Sequence, residues 1–513
     1  MVRPEPDLTP RVAPRHAPQA VDDSWRPLLL RVPGPLRRPQ PDHRPFLLRP
    51  WSITTAGVLV LFLALQFLIP ARLVIGGMGA AGRPSVAVGI LLAFLWVVSA
   101  IRRRQLPHGR QPIRWAVGLF VAVQVIGNVV GYDRLPTLGQ ASAAARWLLV
   151  VAAIAGVTLA VAEGVRTRRE LDRVLGALVL FAAAMSVVGI LQFSGLVDPV
   201  DYIRIPGLSY NSAALGVAER GEGIPRVAGT ANHYIEFGVA LALVLPVALH
   251  YALFSTGQAR WWRWLCVGLI ALAIPLSVSR SAIVTVAVAM LVLSTVWPWR
   301  MRYNALVISV VSIAVFHVVN RGVLGTIKAL FTNVENDPSV TARIERTTIV
   351  MELWHERPVF GWGAGMVTPE EFLLLDNQIY GFMLAGGMLA VLAFLVLLLI
   401  PYLVGRSVRL RGSDEETRHL GQALAATMPA ALAASGTFDS FAFATFVGLL
   451  CVLIGATGAL WRLDGITPSR PLQDAAPGDR YVATPLTANV RERVRRAWTD
   501  PHPGRIVRRG ADG

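Results

Sequence analysis

Twelve apolar runs, each about as long as a helix needs to cross a bilayer, follow one another along this 513-residue chain. A helix rising 1.5 Å per residue takes about 20 apolar residues to cross the hydrocarbon core. The runs lie near 52–70, 84–101, 114–131, 147–165, 173–193, 233–254, 261–279, 281–298, 303–320, 377–404, 420–436 and 440–461. Apolar residues make up 54% of the chain and charged residues only 16%. A soluble protein of this size needs far more polar surface, so the spacing predicts an all-α polytopic membrane protein.

The charges are placed as a membrane would place them. The linkers "RRRQLPHGRQPIR", "RTRRELDR", "RWWR", "RMR" and "RSVRLRGSDEETR" fall on one side and carry 17 arginines. The opposite short linkers carry Arg72, Arg83, Arg134, Arg146 and Arg280. That bias puts both termini in the cytoplasm, and the even span count agrees. It also accounts for the net charge of +17 without nucleic acid, because the basic residues sit between spans and in the tails. Only Lys328 among the 49 basic residues is a lysine, which points to genomic base composition. Cys266 and Cys451 both fall inside apolar runs, so neither a disulfide nor a metal site is expected. Residues 1–50 lack the apolar core of a cleavable signal peptide.

Three regions follow: a tail at 1–50, a transmembrane domain at 51–462 and a tail at 463–513. Both tails are rich in Pro and Arg and read as disordered cytoplasmic segments resting on anionic headgroups. Two long linkers, 194–232 and 321–376, lie on the outer side, where loops of this length are usually functional or disordered. The second contains a helix signal: Asp337 as N-cap, Pro338 at the first position and Pro358 at the end. Val340, Ile344, Met351 and Trp354 recur near helical spacing, which predicts a helix lying on the membrane with its apolar face down. "GWGAG" (361–365) follows as a tight turn.

One arginine stands apart. Arg280 is the only charged residue between Arg263 and Arg300. The stretch from Trp264 to Trp299 is too long for one crossing and suits a hairpin with Ser279-Arg280-Ser281 as its turn, so Arg280 lies at the outer face. An arginine at a helix end can simply snorkel to water. Other ionisable groups occupy the same end, however: Arg226, His233, Glu236, His317, Arg343, Arg346, Asp376 with Asn377, and Asp439. The middle thirds of the spans hold no Asp, Glu, Lys or Arg. Ion-coupled transporters place charged or unwound elements near the midplane, and the sequence shows none. An enzyme acting on a lipid-linked substrate needs its groups at headgroup level. Arginine offers a planar fork of donors for phosphate oxygens and does not deprotonate. Arg226, Arg280 and Arg343, from three elements, can form such a clamp.

Four ordered segments carry a family likeness: "RVAGTANHYIEFGVALALVLP" (226–246), "LSVSRSAIVTV" (276–286), "TARIERTTIVMELWHERPVFGWGAG" (341–365) and "DNQIYGFMLAGGMLAVLAFLVLLL" (376–399). Over about residues 200–400 the chain resembles the O-antigen ligase / O-antigen polymerase family of bacterial membrane glycosyltransferases. The resemblance implies a GT-C-like architecture and an undecaprenyl-pyrophosphate-linked glycan donor. It implies metal-independent, inverting transfer at the outer face of the cytoplasmic membrane, without a cofactor. An acceptor glycan or lipid, membrane lipids and polysaccharide-assembly proteins are the implied partners. Arg226 and Arg280 match the family's phosphate-handling arginines, and Arg343 its basic position before the glycine turn. Ligases of the family carry His-Asn where this chain has Asp376-Asn377, a departure that looks more like the polymerase branch, or a divergent one, than like en bloc ligation.

The residues alone leave alternatives for each group. Asp376 is the leading candidate to orient or deprotonate the acceptor hydroxyl, with helix N-capping as its structural role. Glu236 is the second candidate base, or a partner of Arg226 or Arg280. Asn377 and His233 are acceptor-side candidates that also suit capping and interfacial roles. Asp198 and Asp201 in "DPVD" read as turn residues. A flippase for lipid-linked sugar is the alternative from another class, and it would show a charged cavity through the membrane.

Overall fold

Each of the twelve apolar runs contains a helix in the computed structural model, which describes residues 54–465 apart from 103–110, 211–217, 221–223, 258, 320–337, 370–371 and 373–374. In chain order they are α1 (Thr55–Phe67), α2 (Pro84–Ile101), α3 (Pro112–Gly131), α4 (Leu138–Leu159), α5 (Arg168–Ser194), α6 (Tyr234–Leu253), α7 (Ala259–Leu276), α8 (Arg280–Ser294) and α9 (Trp299–Val319). A helix of the second long linker, α10 (Pro338–Glu356), precedes α11 (Gln378–Arg411), α12 (Glu415–Ser435) and α13 (Ala444–Leu463). Among the described residues, α2 to α7, α11 and α13 are long and apolar enough to cross a membrane, and α1 and α8 are shorter apolar helices. The tails lie outside the described residues.

Several helices outrun the apolar runs that announce them. α4 begins at Leu138 behind a capping box, in which Thr137 Oγ1 accepts from Gln140 N–H and the Gln140 side chain accepts from Thr137 N–H. α5 begins at Arg168 behind Thr167, and α11 continues to Arg411. Capping satisfies the orphan N–H groups in the polar headgroup region, so helix ends need not be apolar.

α6 and α13 form the centre. α6 is buried almost continuously from Glu236 to Ala252, and α13 from Thr445 to Leu460. Helices that are apolar on every side belong inside a bundle. The outer ring instead exposes large apolar side chains, such as Leu91 and Phe94 on α2 and Leu306, Ile308 and Val310 on α9. In a bilayer such faces meet lipid. Lipid supplies no hydrophobic drive for helix association, so close van der Waals contact between small residues must hold the helices together. At the α2–α4 crossing a methyl group on Gly156 would lie 2.1 Å from the Gly89 carbonyl oxygen.

The helix ends form two polar layers. At the end carrying the Arg-rich linkers, Arg114 Nε bonds Glu163 at 2.6 Å, Arg168 Nε bonds Asp172 at 2.9 Å and Arg409 bonds Glu415 at 3.0 Å. Exposed Trp115, Trp261, Trp262 and Trp299 lie at the same end, as interfacial aromatics do. The other end carries the long loops. Here β1 (Leu73–Val74) pairs antiparallel with β2 (Ser209–Tyr210), and β3 (Ala218–Arg220) with β4 (Ile224–Arg226).

α10 packs in part on α11: Val350 is fully buried with Met383 and Leu384, and Leu353 and Trp354 pack beside it, while Met351 is exposed and the side chains of Val340 and Ile344 lie outside the described residues. One expectation is corrected. The tenth span is not one helix, since α11 breaks at Gly386 and Gly387, where Gly387 has φ 63 and ψ −162. The segment before and within "GWGAG" repairs the break. Trp362 N–H donates to Leu384 C=O at 2.7 Å, Gly363 N–H to Ala385 C=O at 2.9 Å and Met388 N–H to Pro358 C=O at 2.9 Å. Irregular backbone inside a bundle is tolerated only when its groups are satisfied in this way.

Candidate functional site

β4 delivers Arg226 to the loop-bearing end of the bundle. Its Nη1 donates to the Tyr234 hydroxyl at 2.7 Å, and its Nη2 donates to the Val278 carbonyl at 2.8 Å. The guanidinium carbon lies 3.8 Å from the centre of the Tyr234 ring, a cation–π contact that helps fix its plane. Val278 has φ 45, a strained conformation for a β-branched residue, and its side chain is fully buried. Arg226 therefore pins the turn that joins α7 to α8. That turn is Ser277-Val278-Ser279 rather than one centred on Arg280. Ser279 caps α8 through its side chain, and Arg280 is the first helical residue, half-buried at the outer end.

The loop between Arg226 and α6 is held from two directions. Gln192 at the end of α5 accepts from Gly229 N–H at 2.7 Å and donates to Gly229 C=O at 3.1 Å. Ala71 N–H donates to Thr230 C=O at 2.7 Å. His233 is the N-cap of α6, and its Nδ1 accepts from Ile235 N–H at 3.1 Å. That contact assigns the ring proton of the neutral imidazole to Nε2. Burial, reinforced by nearby Arg226 and opposed by Asp376, holds the His233 pKa down to about 4. At neutral pH His233 is thus an uncharged donor, lying between the Arg226 side of the site and Asp376.

Asp376 forms an ion pair with Arg346 of α10. The cap of α11 belongs to its neighbour: Asn377 Oδ1 accepts from Ile379 N–H at 2.8 Å. Capping therefore leaves the Asp376 carboxylate to Arg346. Asp439, in the outer turn between α12 and α13, comes to the same place. Gln378 N–H donates to Phe438 C=O at 3.2 Å and Gln378 Oε1 accepts from Phe441 N–H at 2.6 Å, tying that turn to the start of α11. A methyl group on Gly381 would lie 3.8 Å from Asp439 Oδ1. Desolvation, with the charge of Asp376 adding to it, raises the Asp439 pKa to about 7. Two carboxyl groups in one site thus have different characters, one ion-paired and one titrating near neutrality.

Glu236, one turn into α6 from His233, is held by backbone. It is fully buried, and its two oxygens accept from Asn232 N–H at 2.8 Å and Thr445 N–H at 2.7 Å. It caps the first turns of α6 and α13 together. The expected partnership with Arg226 or Arg280 gives way to Arg83, whose charge acts on Glu236 and whose Nη1 bonds Thr445 Oγ1 at 2.9 Å. Asp198 caps a single turn (Pro199–Tyr202), and Asp201 bonds Arg72 at 2.8 Å, so the "DPVD" carboxylates are turn residues. Arg343 lies on α10, one turn before Arg346, but its side chain and that of His317 fall outside the described residues.

The structure brings together Arg226 and His233, the turn bearing Arg280, and Asp376 with Asn377 from three chain segments. Arg346 joins them through its ion pair with Asp376, and Asp439 through its burial beside Asp376 and Gly381. The available signal for Asp439 was that it is the one charged residue between the last two spans.

No curated protein matches the chain. A family model described as O-antigen ligase matches residues 265–395. The match runs from α7 through the Arg280 turn, α10 and Asp376 to the half of α11 beyond its glycine break. Over these residues, about a quarter of its length, the chain is similar to the O-antigen ligase family, and its many apolar helices are those of a multi-pass membrane protein.

Proposed function

We propose that the protein is a glycosyltransferase that polymerises, or transfers to an acceptor, an undecaprenyl-pyrophosphate-linked oligosaccharide at the outer face of the cytoplasmic membrane. The convergence of Arg226, the Arg280 turn, His233, Asp376–Arg346 and Asp439 at one end of the bundle carries this reading. Arg226 is oriented by Tyr234 and Val278, and Arg280 opens α8, where the helix dipole adds positive potential. Both suit a pyrophosphate, and both bind it more strongly as it departs with the electron pair of the broken glycosidic C–O bond.

The acceptor hydroxyl attacks the anomeric carbon from the opposite face and forms the new C–O bond with inversion. Its proton passes to a carboxylate. Asp376 is the first candidate by sequence, but its carboxylate is engaged by Arg346, which suits it to orienting the acceptor. Asp439 has the better matched pKa for a general base near neutral pH. Glu236 is assigned the capping role that its two backbone hydrogen bonds describe. The phosphate is served by arginine, and full activity in chelator is the expected result.

Reconstitution with a lipid-linked repeat unit tests the reading. Wild type should form glycosidic bonds, and folded Arg280→Ala should lose most of that activity. A ladder of lengthening products identifies a polymerase, which Asp376 favours; single-step transfer identifies a ligase. Translocation of the donor without bond formation would replace both with a flippase.

A further inference from the structure

Beside the site, the outer loops carry a group of side chains that the chemistry above does not use. Tyr202 is 79% exposed and Tyr210 50% exposed. Arg72 joins them: its guanidinium lies 5.4 Å from the centre of the Tyr210 ring and bonds Asp201, the neighbour of Tyr202, at 2.8 Å. Their placement is built. The β1–β2 ribbon sets Tyr210 opposite Leu73, next to Arg72. Asp198 caps the turn that carries Asp201 and Tyr202, and it accepts from Gln192 Nε2 at 2.9 Å.

The same elements reach the catalytic loop. Gln192 also holds Gly229, and Ala71 holds Thr230, so both supports of the tyrosine pair end on the segment between Arg226 and His233. Tyrosine rings are amphipathic and suit a ligand with apolar and polar faces. A pyranose ring has both, with C–H faces for aromatic rings and hydroxyls for carboxylate and guanidinium. An exposed ion pair contributes little to stability, so the stability of the loops does not explain the Arg72–Asp201 contact. Its planar groups are suited to hydroxyl pairs.

We infer that Tyr202, Tyr210, Arg72 and Asp201 form a carbohydrate subsite that binds sugar residues of the glycan away from the bond being made. The subsite deepens the glycosyltransferase reading and rests on it for its place in the reaction. It gives the enzyme a grip on glycan length: a donor or acceptor with several sugars reaches the subsite, and one with a single sugar does not.

Two measurements on the full-length protein in nanodiscs test it separately from the chemistry. The first uses free oligosaccharide released by mild acid from the host's lipid-linked pool, read by saturation-transfer NMR. Wild type should bind it, and Tyr210→Ala and Tyr202→Ala should weaken binding about tenfold, whereas Tyr210→Phe should retain it. Tyr202 is the more exposed ring, so its variant remains informative if Tyr210→Ala does not fold. The second compares KM for lipid-linked donors of several sugars and of one. Tyr202→Ala should raise KM for the longer donor about tenfold, leave kcat in place and leave the one-sugar donor unchanged. Absent binding, or equal effects on both donors, overturns the subsite while leaving transfer by wild type intact. Binding that depends on the tyrosines without any transfer keeps the subsite and removes the glycosyltransferase reading.

Discussion

At the scale of single residues, the site separates two carboxyl groups by environment. Asp439 has its pKa raised from 3.8 to about 7. As a base it works ionised, so kcat/KM should rise as pH climbs through about 7, and Asp439→Asn should remove that limb and lower kcat by about 100-fold or more. Linkage has the opposite sign: a carboxyl whose folded pKa is raised favours the native state at low pH, and that contribution is lost as pH rises from 3.8 through about 7. A rate that increases with pH while stability decreases therefore distinguishes Asp439 from an ordinary surface carboxylate. Glu236 calls for the reverse test. Glu236→Gln removes a charged acceptor from two backbone N–H groups, which should cost about 1.5–3 kcal/mol. It should lower the apparent midpoint of thermal unfolding in detergent while the folded fraction keeps its kcat; a lost kcat at unchanged stability would return Glu236 to the chemistry. Arg226, His233 and Arg280 were legible because each stands at the end of an apolar run, where an ionisable residue is conspicuous. Their partners were not. Glu236 meets Thr445 across 209 positions, and only the crossing of α6 and α13 decides that contact.

At the scale of elements, the helices were legible because lipid leaves the backbone few alternatives to a helix. The break in α11 was not, since glycine is common in membrane helices and a Gly-Gly pair there need not unwind one. What decides it is the "GWGAG" segment arriving to take up the freed groups. Arg134 Nε donates to Trp362 C=O at 2.8 Å and Asn128 Nδ2 to Ala364 C=O at 2.9 Å, so α3 and its outer end fix this segment. The break lies about 13 Å along α11 from its first residue, Gln378, counted at 1.5 Å per residue. Its groups are taken by protein backbone, which argues for a positioning role and against an ion pathway. Gly387 has a backbone conformation open essentially to glycine alone, and a methyl group there would lie 2.2 Å from the Val359 carbonyl oxygen. Gly387→Ala should therefore lower the apparent unfolding midpoint and displace α10 with Arg346. The check is a loss of activity with a large drop in midpoint, set beside Gly268→Ala, where an added methyl meets nothing within 4 Å. Equal midpoints for the two variants would mean that the break is not held as described.

At the scale of the whole molecule, the two polar layers have different characters. The end with the Arg-rich linkers is closed by ion pairs between helix ends, as in Arg168–Asp172 and Arg409–Glu415. The other end holds the loops, the arginines and the carboxylates of the candidate site. The charge bias predicts that the first end faces the cytoplasm, and the proposed chemistry requires that orientation, because its lipid-linked donor must meet the site outside. A topology experiment can therefore overturn the function without any substrate. In a background with Cys266→Ala and Cys451→Ala, Leu138→Cys places a thiol at a position 90% exposed at the loop-bearing end. Arg411→Cys places one at the exposed inner end of α11. A membrane-impermeant maleimide should label the first in intact spheroplasts and the second only after permeabilisation. The reverse pattern would put Arg226, Arg280 and Asp439 in the cytoplasm, where the same clamp would face nucleotide-linked and newly made lipid-linked sugars. The arginine count in the linkers and the location of the site are independent observations, and this measurement requires them to agree.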